Sequence, residues 1–159
     1  MKYKISLLVV LLFNSLLFAK DTRYNFGVGG ILSTHGVIAP AMSFERESLI
    51  KEKTRLTFGI TQSSLVFFSY LTECTIGISY EMGHGLMITN LKTFLSYGRL
   101  RQTEWGGSFW GNYFAYGVGA RLNSSSSPHG LETSIQLLVP TNKSNNLGIK
   151  YTLQYKYLQ

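Results

Sequence analysis

The chain has 159 residues, of which 45% are hydrophobic and 14% charged, and its formal net charge is +7. This length suits one domain, and a single cysteine, Cys74, excludes an internal disulfide. The 15 basic residues are scattered along the sequence instead of forming one stripe, which argues against nucleic acid as a partner.

The first 19 residues have the layout of a secretory signal peptide. Lys2 and Lys4 precede an apolar run from Ile5 to Phe18, and Ala19 follows as a small residue suited to cleavage. The run is shorter than the roughly 20 apolar residues of a transmembrane helix. We therefore expect residues 1–19 to be a cleaved signal peptide and residues 20–159 to form the single mature domain. A mature chain of this composition could enter a membrane only as a closed barrel.

After the signal peptide, apolar and polar residues alternate with a period of two, and helical spacing is almost absent. In the last segment, Leu153, Tyr155 and Tyr157 fall on one face, and Gln154 and Lys156 fall on the other. In chain order, the predicted strands are 24–33, 37–47, 54–62, 73–82, 86–101, 110–122, 131–140 and 147–158. An even number of strands suits an antiparallel up-and-down barrel whose two ends lie on one side.

The two faces of the predicted strands differ in chemistry. One face carries large apolar side chains, and the other carries Gly, Ala, Ser and Thr with about one ionisable residue per strand. An eight-stranded barrel is just wide enough to be filled by its own side chains, so we expect the polar face to line the interior and its charges to pair. The predicted interior network is Glu45, Arg55, Glu81, Lys92, Arg121, Glu132 and Lys150. The predicted interfacial aromatic residues are Trp105, Trp110, Tyr155 and Tyr157.

Two segments resemble the small outer-membrane β-barrels of the OmpA transmembrane-domain and OmpX type. They are the alternating stretch from Phe114 to Arg121 and the tyrosine-rich stretch from Leu147 to Leu158. The resemblance implies an eight-stranded transmembrane β-barrel in the outer membrane. It also implies contact with outer-membrane lipids and lipopolysaccharide, and insertion of a monomer by the barrel-assembly machinery. Pro40 departs from the pattern, because proline cannot donate a hydrogen bond to a neighbouring strand.

No set of residues indicates catalysis, a metal or a cofactor. His35, His84 and His129 fall in predicted turns without a second ligand at metal spacing. Ser127, His129 and Glu132 have the residue types of the outer-membrane lipid A deacylases but in a different order. We therefore predict a structural envelope protein with no open pore and no enzymatic activity. The alternatives are a deacylase-like enzyme that modifies lipid A and a secreted soluble β-sandwich or barrel.

Overall fold

The computed structural model describes residues 21–34, 38–65, 69–82, 87–104, 107–123, 128–141 and 147–158. These residues form eight β-strands, which follow the alternation of apolar and polar residues. Their bounds are β1 Thr22–Ser33, β2 Ile38–Lys51, β3 Thr54–Leu65, β4 Ser69–Glu81, β5 Ile88–Glu104, β6 Gly107–Asn123, β7 His129–Pro140 and β8 Gly148–Leu158. The described residues include no helix long and apolar enough to cross a membrane.

The eight strands close into one antiparallel barrel. Each strand pairs with the next, and β1 pairs with β8 from Asn25 opposite Leu158 to Ser33 opposite Lys150. Closure hydrogen-bonds strand edges that would otherwise be open. The predicted all-β class and the closure by the last strand are confirmed, and the chain is not a β-sandwich. Below, the terminal end is the end of the barrel where β1 begins and β8 finishes, and the loop end is the opposite one.

The strands are longer at the loop end than the sequence predicted. Residues 63–72 and 102–109 were expected to be connections, whereas β3 continues to Leu65 and β4 starts at Ser69. Likewise, Glu104 of β5 pairs with Gly107 of β6, which leaves a connection of residues 105–106. These stretches lack the clear apolar alternation that predicts a strand. Backbone pairing between two antiparallel neighbours needs no such alternation, and the ladder therefore continues.

Pro40 is tolerated in β2 because it lies beyond the end of the hydrogen-bonded ladder between β2 and β3. The pairing of β2 with β3 reaches Ala41 opposite Ser63, and Pro40 is the next residue beyond that pair. On its other side, Pro40 lies opposite Gly30 of β1. A proline at the end of a ladder interrupts no hydrogen bond further along it.

The interior is divided into two zones. Toward the loop end it contains a cluster of buried residues that are mostly aliphatic, which we call the apolar cluster: Ile31, Ala39, Ala41, Leu71, Leu100, Tyr113, Ala115 and Leu138. Apart from Phe94, the large side chains in the rest of the described interior are polar or charged. Glycines make room for larger neighbours at this boundary: a Cβ at Gly117 would lie 2.6 Å from Cζ of Phe94 and 2.7 Å from Cγ of Gln136.

Candidate functional site

The polar interior contains six of the seven charged residues predicted to line it. Glu45, Arg55, Lys92, Arg121, Glu132 and Lys150 have side chains that are at most 9% exposed. Glu81 lies at the rim of the terminal end, where its side chain is 29% exposed. Sequence reasoning missed five further members of the ion pairs: Asp21, Arg23, Glu47, Glu73 and Lys156. The signal for Lys156 was present, because it alternates with the exposed Tyr155 and Tyr157 of β8.

Four charged side chains form a closed ring across the middle of the barrel. Lys92 Nζ lies 2.8 Å from Glu45 Oε1 and also pairs with Glu132. Lys156 Nζ lies 2.6 Å from Glu45 Oε2 and 2.8 Å from Glu132 Oε1. We call Glu45, Lys92, Glu132 and Lys156 the central tetrad. Each carboxylate contacts both ammonium groups, so alternating charges meet from strands β2, β5, β7 and β8.

Further ion pairs continue from the central tetrad to the terminal end. Arg121 lies 3.0 Å from Glu132 and 3.1 Å from Glu47. At the rim, Arg55 pairs with Glu81 at 2.6 Å and with Asp21 at 2.9 Å. The hydrogen bond from Arg55 lowers the pKa of Asp21 below its ordinary value. The Arg55–Asp21 ion pair therefore holds Asp21, the residue before β1, at the rim of the barrel.

A second polar cluster separates the central tetrad from the apolar cluster. Its centre is the carboxylate of Glu73, which lies 2.5 Å from Lys150 Nζ. Tyr113 donates its hydroxyl hydrogen to Glu73 at 2.7 Å, and Gln136 Nε2 donates at 3.4 Å. We call Glu73, Tyr113, Gln136 and Lys150 the Glu73 cluster. All four residues are buried, so the carboxylate exchanges water for three protein donors.

The described side chains pack closely in the middle of the lumen. Between the central tetrad and the Glu73 cluster they leave a cavity of about 20 Å³, which is lined mainly by polar side chains. That volume suits about one water molecule. The described interior between these two layers is therefore a packed polar core.

The outer wall has the opposite chemistry. Every strand exposes large apolar side chains to the outside, for example Phe26, Met42, Ile60, Ile76, Leu95, Phe114, Ile135 and Leu153. Hydroxyl groups within this wall bond to one another: Thr133 donates to Tyr151 at 2.8 Å, and Thr93 donates to Tyr116 at 3.1 Å. The wall can therefore face an apolar medium at low cost in unsatisfied polar groups.

Two of the four predicted interfacial aromatic residues can be placed with their side chains. Tyr155 and Tyr157 are exposed on the outer face of β8 near the terminal end. Trp110 lies in β6, and its side chain is not among those described. Trp105 lies outside the described residues. The wall near the terminal end also holds Tyr24 and Phe44, whose ring centroids are 5.9 Å apart.

The structure places two of the residues considered for lipid hydrolysis on opposite sides of the barrel wall. His129 lies on the outer face, where its Nδ1 is 2.5 Å from the hydroxyl of Tyr155. Glu132 points into the lumen as part of the central tetrad, so the wall separates the two side chains. Ser127 lies outside the described residues, as do His35 and His84. Within the described part of the chain, no group of three or more His, Cys, Asp or Glu residues could hold a metal ion.

Comparison with known proteins rests on structure alone. No family model and no curated protein matches the sequence. Neisserial surface protein A has a TM-score of 0.56 at 14% identity, with 86% of this chain and 94% of that chain covered. The N-terminal β-barrel domain of Pseudomonas aeruginosa OprF has a TM-score of 0.58 at 10% identity, with 86% and 97% covered. The chain has the fold of the small outer-membrane β-barrels.

A third outer-membrane barrel supports the same fold. The attachment invasion locus protein Ail of Yersinia pestis has a TM-score of 0.50 at 9% identity, with 87% of this chain and 96% of that chain covered. The alignments therefore span nearly the whole length of each small barrel. At such low identity the likeness concerns the fold, and the chemistry of the lumen and wall must be read from this chain's own residues.

Proposed function

We propose that the mature chain is a monomeric outer-membrane protein that spans the bilayer with its eight strands and has a structural role in the envelope. The observation that carries this proposal is the outer wall, which exposes large apolar side chains on every strand. A water-soluble protein rarely exposes such a continuous apolar surface. In a bilayer, the same surface meets hydrocarbon, and closure leaves no strand edge without hydrogen bonds.

A soluble barrel would place these two chemistries the other way round. Its outward face would be polar, and apolar side chains would line the interior. Here the charged side chains of the ion pairs named above, all from described residues, lie in the lumen or at its terminal rim. The distribution favours a membrane protein over the secreted soluble alternative.

The packing of charged and apolar side chains inside the lumen supports a structural role over transport. The central tetrad, the Glu73 cluster and the apolar cluster succeed one another along the barrel, and each is contributed by several strands. The connections 66–68 and 105–106 at the loop end are short, which leaves little surface there for a large protein partner. We propose that outer-membrane lipids and lipopolysaccharide surround the wall and that the barrel-assembly machinery inserts the chain.

Membrane fractionation followed by electrophoresis with and without boiling tests this function. We expect the protein in the outer-membrane fraction, with a change of mobility on heating, because a closed barrel resists detergent until it is heated. Recovery in the soluble periplasmic fraction would overturn the proposal. Lipid A from cells with and without the protein should have the same acylation by mass spectrometry, and a difference would restore the enzymatic alternative.

A further inference from the structure

The outer wall has an apolar groove where β1 lies between β2 and β8. Its volume is about 870 Å³, which is in the range of sites that bury a small ligand. Gly30 of β1 and Pro40 of β2 line the groove with little or no side chain. The larger side chains of Leu32, Tyr151 and Tyr155 also line it and form its sides. We call this feature the wall groove.

Interior packing does not account for Gly30. A Cβ at the neighbouring Gly29 would collide with the backbone of Leu153, so that glycine is required by the close approach of β1 and β8. At Gly30, the nearest heavy atom to a Cβ would be the carbonyl oxygen of Ala39, at an ordinary contact distance of 3.9 Å. Gly30 is also exposed. Its lack of a side chain therefore affects the outer face of the wall and not the packing of the lumen.

The residue opposite Gly30 is also unusual in a strand. Gly30 lies opposite Pro40, which is exposed on the same face. Glycine and proline both weaken a strand, and a glycine in a strand is typical of a site where a ligand approaches the backbone closely. On its other side, Gly30 lies opposite Leu153, whose side chain is large and apolar like most of the wall. The wall groove thus exists where two residues that disfavour a strand meet on the outer face.

The wall groove has the length and polarity of a lipid tail site. Tyr151 and Tyr155 are four residues apart along β8, or about 13 Å, and one leaflet of the hydrocarbon core is about 15 Å thick. At the terminal end of the groove, the hydroxyl of Tyr155 lies 2.5 Å from Nδ1 of His129. Exposed tyrosines at the end of an apolar wall are typical of the level of the lipid headgroups.

We propose that the wall groove holds one acyl chain of a glycerophospholipid whose headgroup lies in the leaflet at the terminal end. This inference rests on the proposed function, because it requires the wall to be in a bilayer. An acyl chain is a narrow, flexible apolar rod that can enter a groove between neighbouring strands. The wall of a second barrel is broad and convex, so it would lie across the groove without filling it.

The test counts the lipids that each barrel retains. The mature protein is folded in a non-ionic detergent, incubated with dipalmitoyl phosphatidylethanolamine, and measured by native mass spectrometry. We expect the wild-type protein to retain one phospholipid per barrel. Gly30→Leu should lower the retained fraction at least about fivefold, because the leucine side chain occupies the groove and removes many dispersion contacts along the tail.

The matched control is Ala120→Leu, which adds the same side chain to β6, outside the wall groove, and should keep the phospholipid. Heat-modifiable migration shows whether each variant has folded, and Pro40→Leu fills the groove from β2 as a second variant. Absence of a retained lipid in the wild type would overturn the inference, as would retention by both groove variants or loss from Ala120→Leu.

Two other occupants are distinguished in the same experiment. Retention of lipid A in place of the phospholipid, when both are offered, would overturn the inference. A dimer that Gly30→Leu abolishes would overturn it as well, because the groove would then be an interface between two copies. Absence of the wild-type protein from the membrane fraction of cells would instead refute the proposed function.

Discussion

At the scale of single residues, the interior contains charged side chains that contact one another in place of water. Lys156 is the sharpest case, because its side chain is fully buried between the carboxylates of Glu45 and Glu132. An ion pair of this kind adds little net stability, since the attraction offsets the cost of desolvation. Removing one partner is costly, because the others stay buried without compensation.

We therefore predict that Lys156→Met destabilises the barrel by about 3–5 kcal/mol, although methionine fills a similar volume. Urea unfolding of the protein in lipid vesicles, followed by tryptophan fluorescence, measures this change. The control is Lys51→Met at the exposed turn, for which we expect a change within about 0.5 kcal/mol. Equal effects of the two substitutions would show that the central tetrad does not hold the barrel together.

A second prediction concerns the glycines that face the interior. Gly117→Ala would place a Cβ 2.6 Å from the ring of Phe94, and we expect a loss of about 1–3 kcal/mol from overpacking. Gly30→Ala is the control, because the nearest heavy atom to its Cβ would be 3.9 Å away. The same urea measurement should show little effect at Gly30. If Gly117→Ala were equally neutral, or if the added change Phe94→Leu recovered none of the loss, the steric explanation would be wrong.

At the scale of secondary-structure elements, the turn between β2 and β3 has an unusual backbone conformation. The turn between β2 and β3 consists of Glu52 and Lys53, and Glu52 has a φ of 33°. This left-handed backbone favours glycine, because a Cβ there approaches the carbonyl oxygen. The pairing also shifts register between Leu49 and Lys51, immediately before the turn. Nothing in the structure explains why glutamate occupies the position.

Glu52→Gly should consequently stabilise the barrel by about 1 kcal/mol, because it relieves the left-handed conformation. Glu52→Ala is the matched control, since it removes the same carboxylate but keeps the Cβ. We expect the midpoint of urea unfolding to rise for the glycine variant and not for the alanine variant. A similar rise in both would mean that loss of the charge, and not relief of the backbone, is responsible.

At the scale of the whole molecule, three layers of side chains succeed one another along the lumen: the central tetrad, the Glu73 cluster and the apolar cluster. The central tetrad and the Glu73 cluster are polar, whereas the apolar cluster toward the loop end is aliphatic apart from Tyr113, whose hydroxyl donates to Glu73. The cavity between the two polar layers is small, about 20 Å³. We therefore predict that the lumen is closed to ions.

Planar bilayer recordings test this closure. The wild-type barrel should show no steady ion conductance, in contrast to an open porin recorded in the same bilayers. The charge-neutral variant Glu45→Ala/Lys156→Ala should also stay closed, because the Glu73 cluster and the apolar cluster remain. Steady conductance of the wild type would contradict the closed lumen, and conductance of the variant alone would show that the central tetrad is the only effective barrier.

The sequence by itself determined the number of strands, their antiparallel order and which face of each strand is apolar. These features are local, because side chains alternate along a strand with a period of two. For the same reason, six of the predicted charged residues lie in the interior. The alternation also separates His129 from Glu132, which are an odd number of positions apart and fall on opposite faces.

Only the tertiary structure decided which charges meet. Glu45, Lys92 and Glu132 are dozens of residues apart, and they come together because the register of eight strands sets their height in the lumen. The register of β8 likewise brings Lys156 into the central tetrad. Backbone pairing between β5 and β6 also extends these strands beyond the residues that alternate in the sequence. The apolar cluster could not be foreseen either, because its members are inward-facing residues of several strands, and their packing exists only once the barrel has closed.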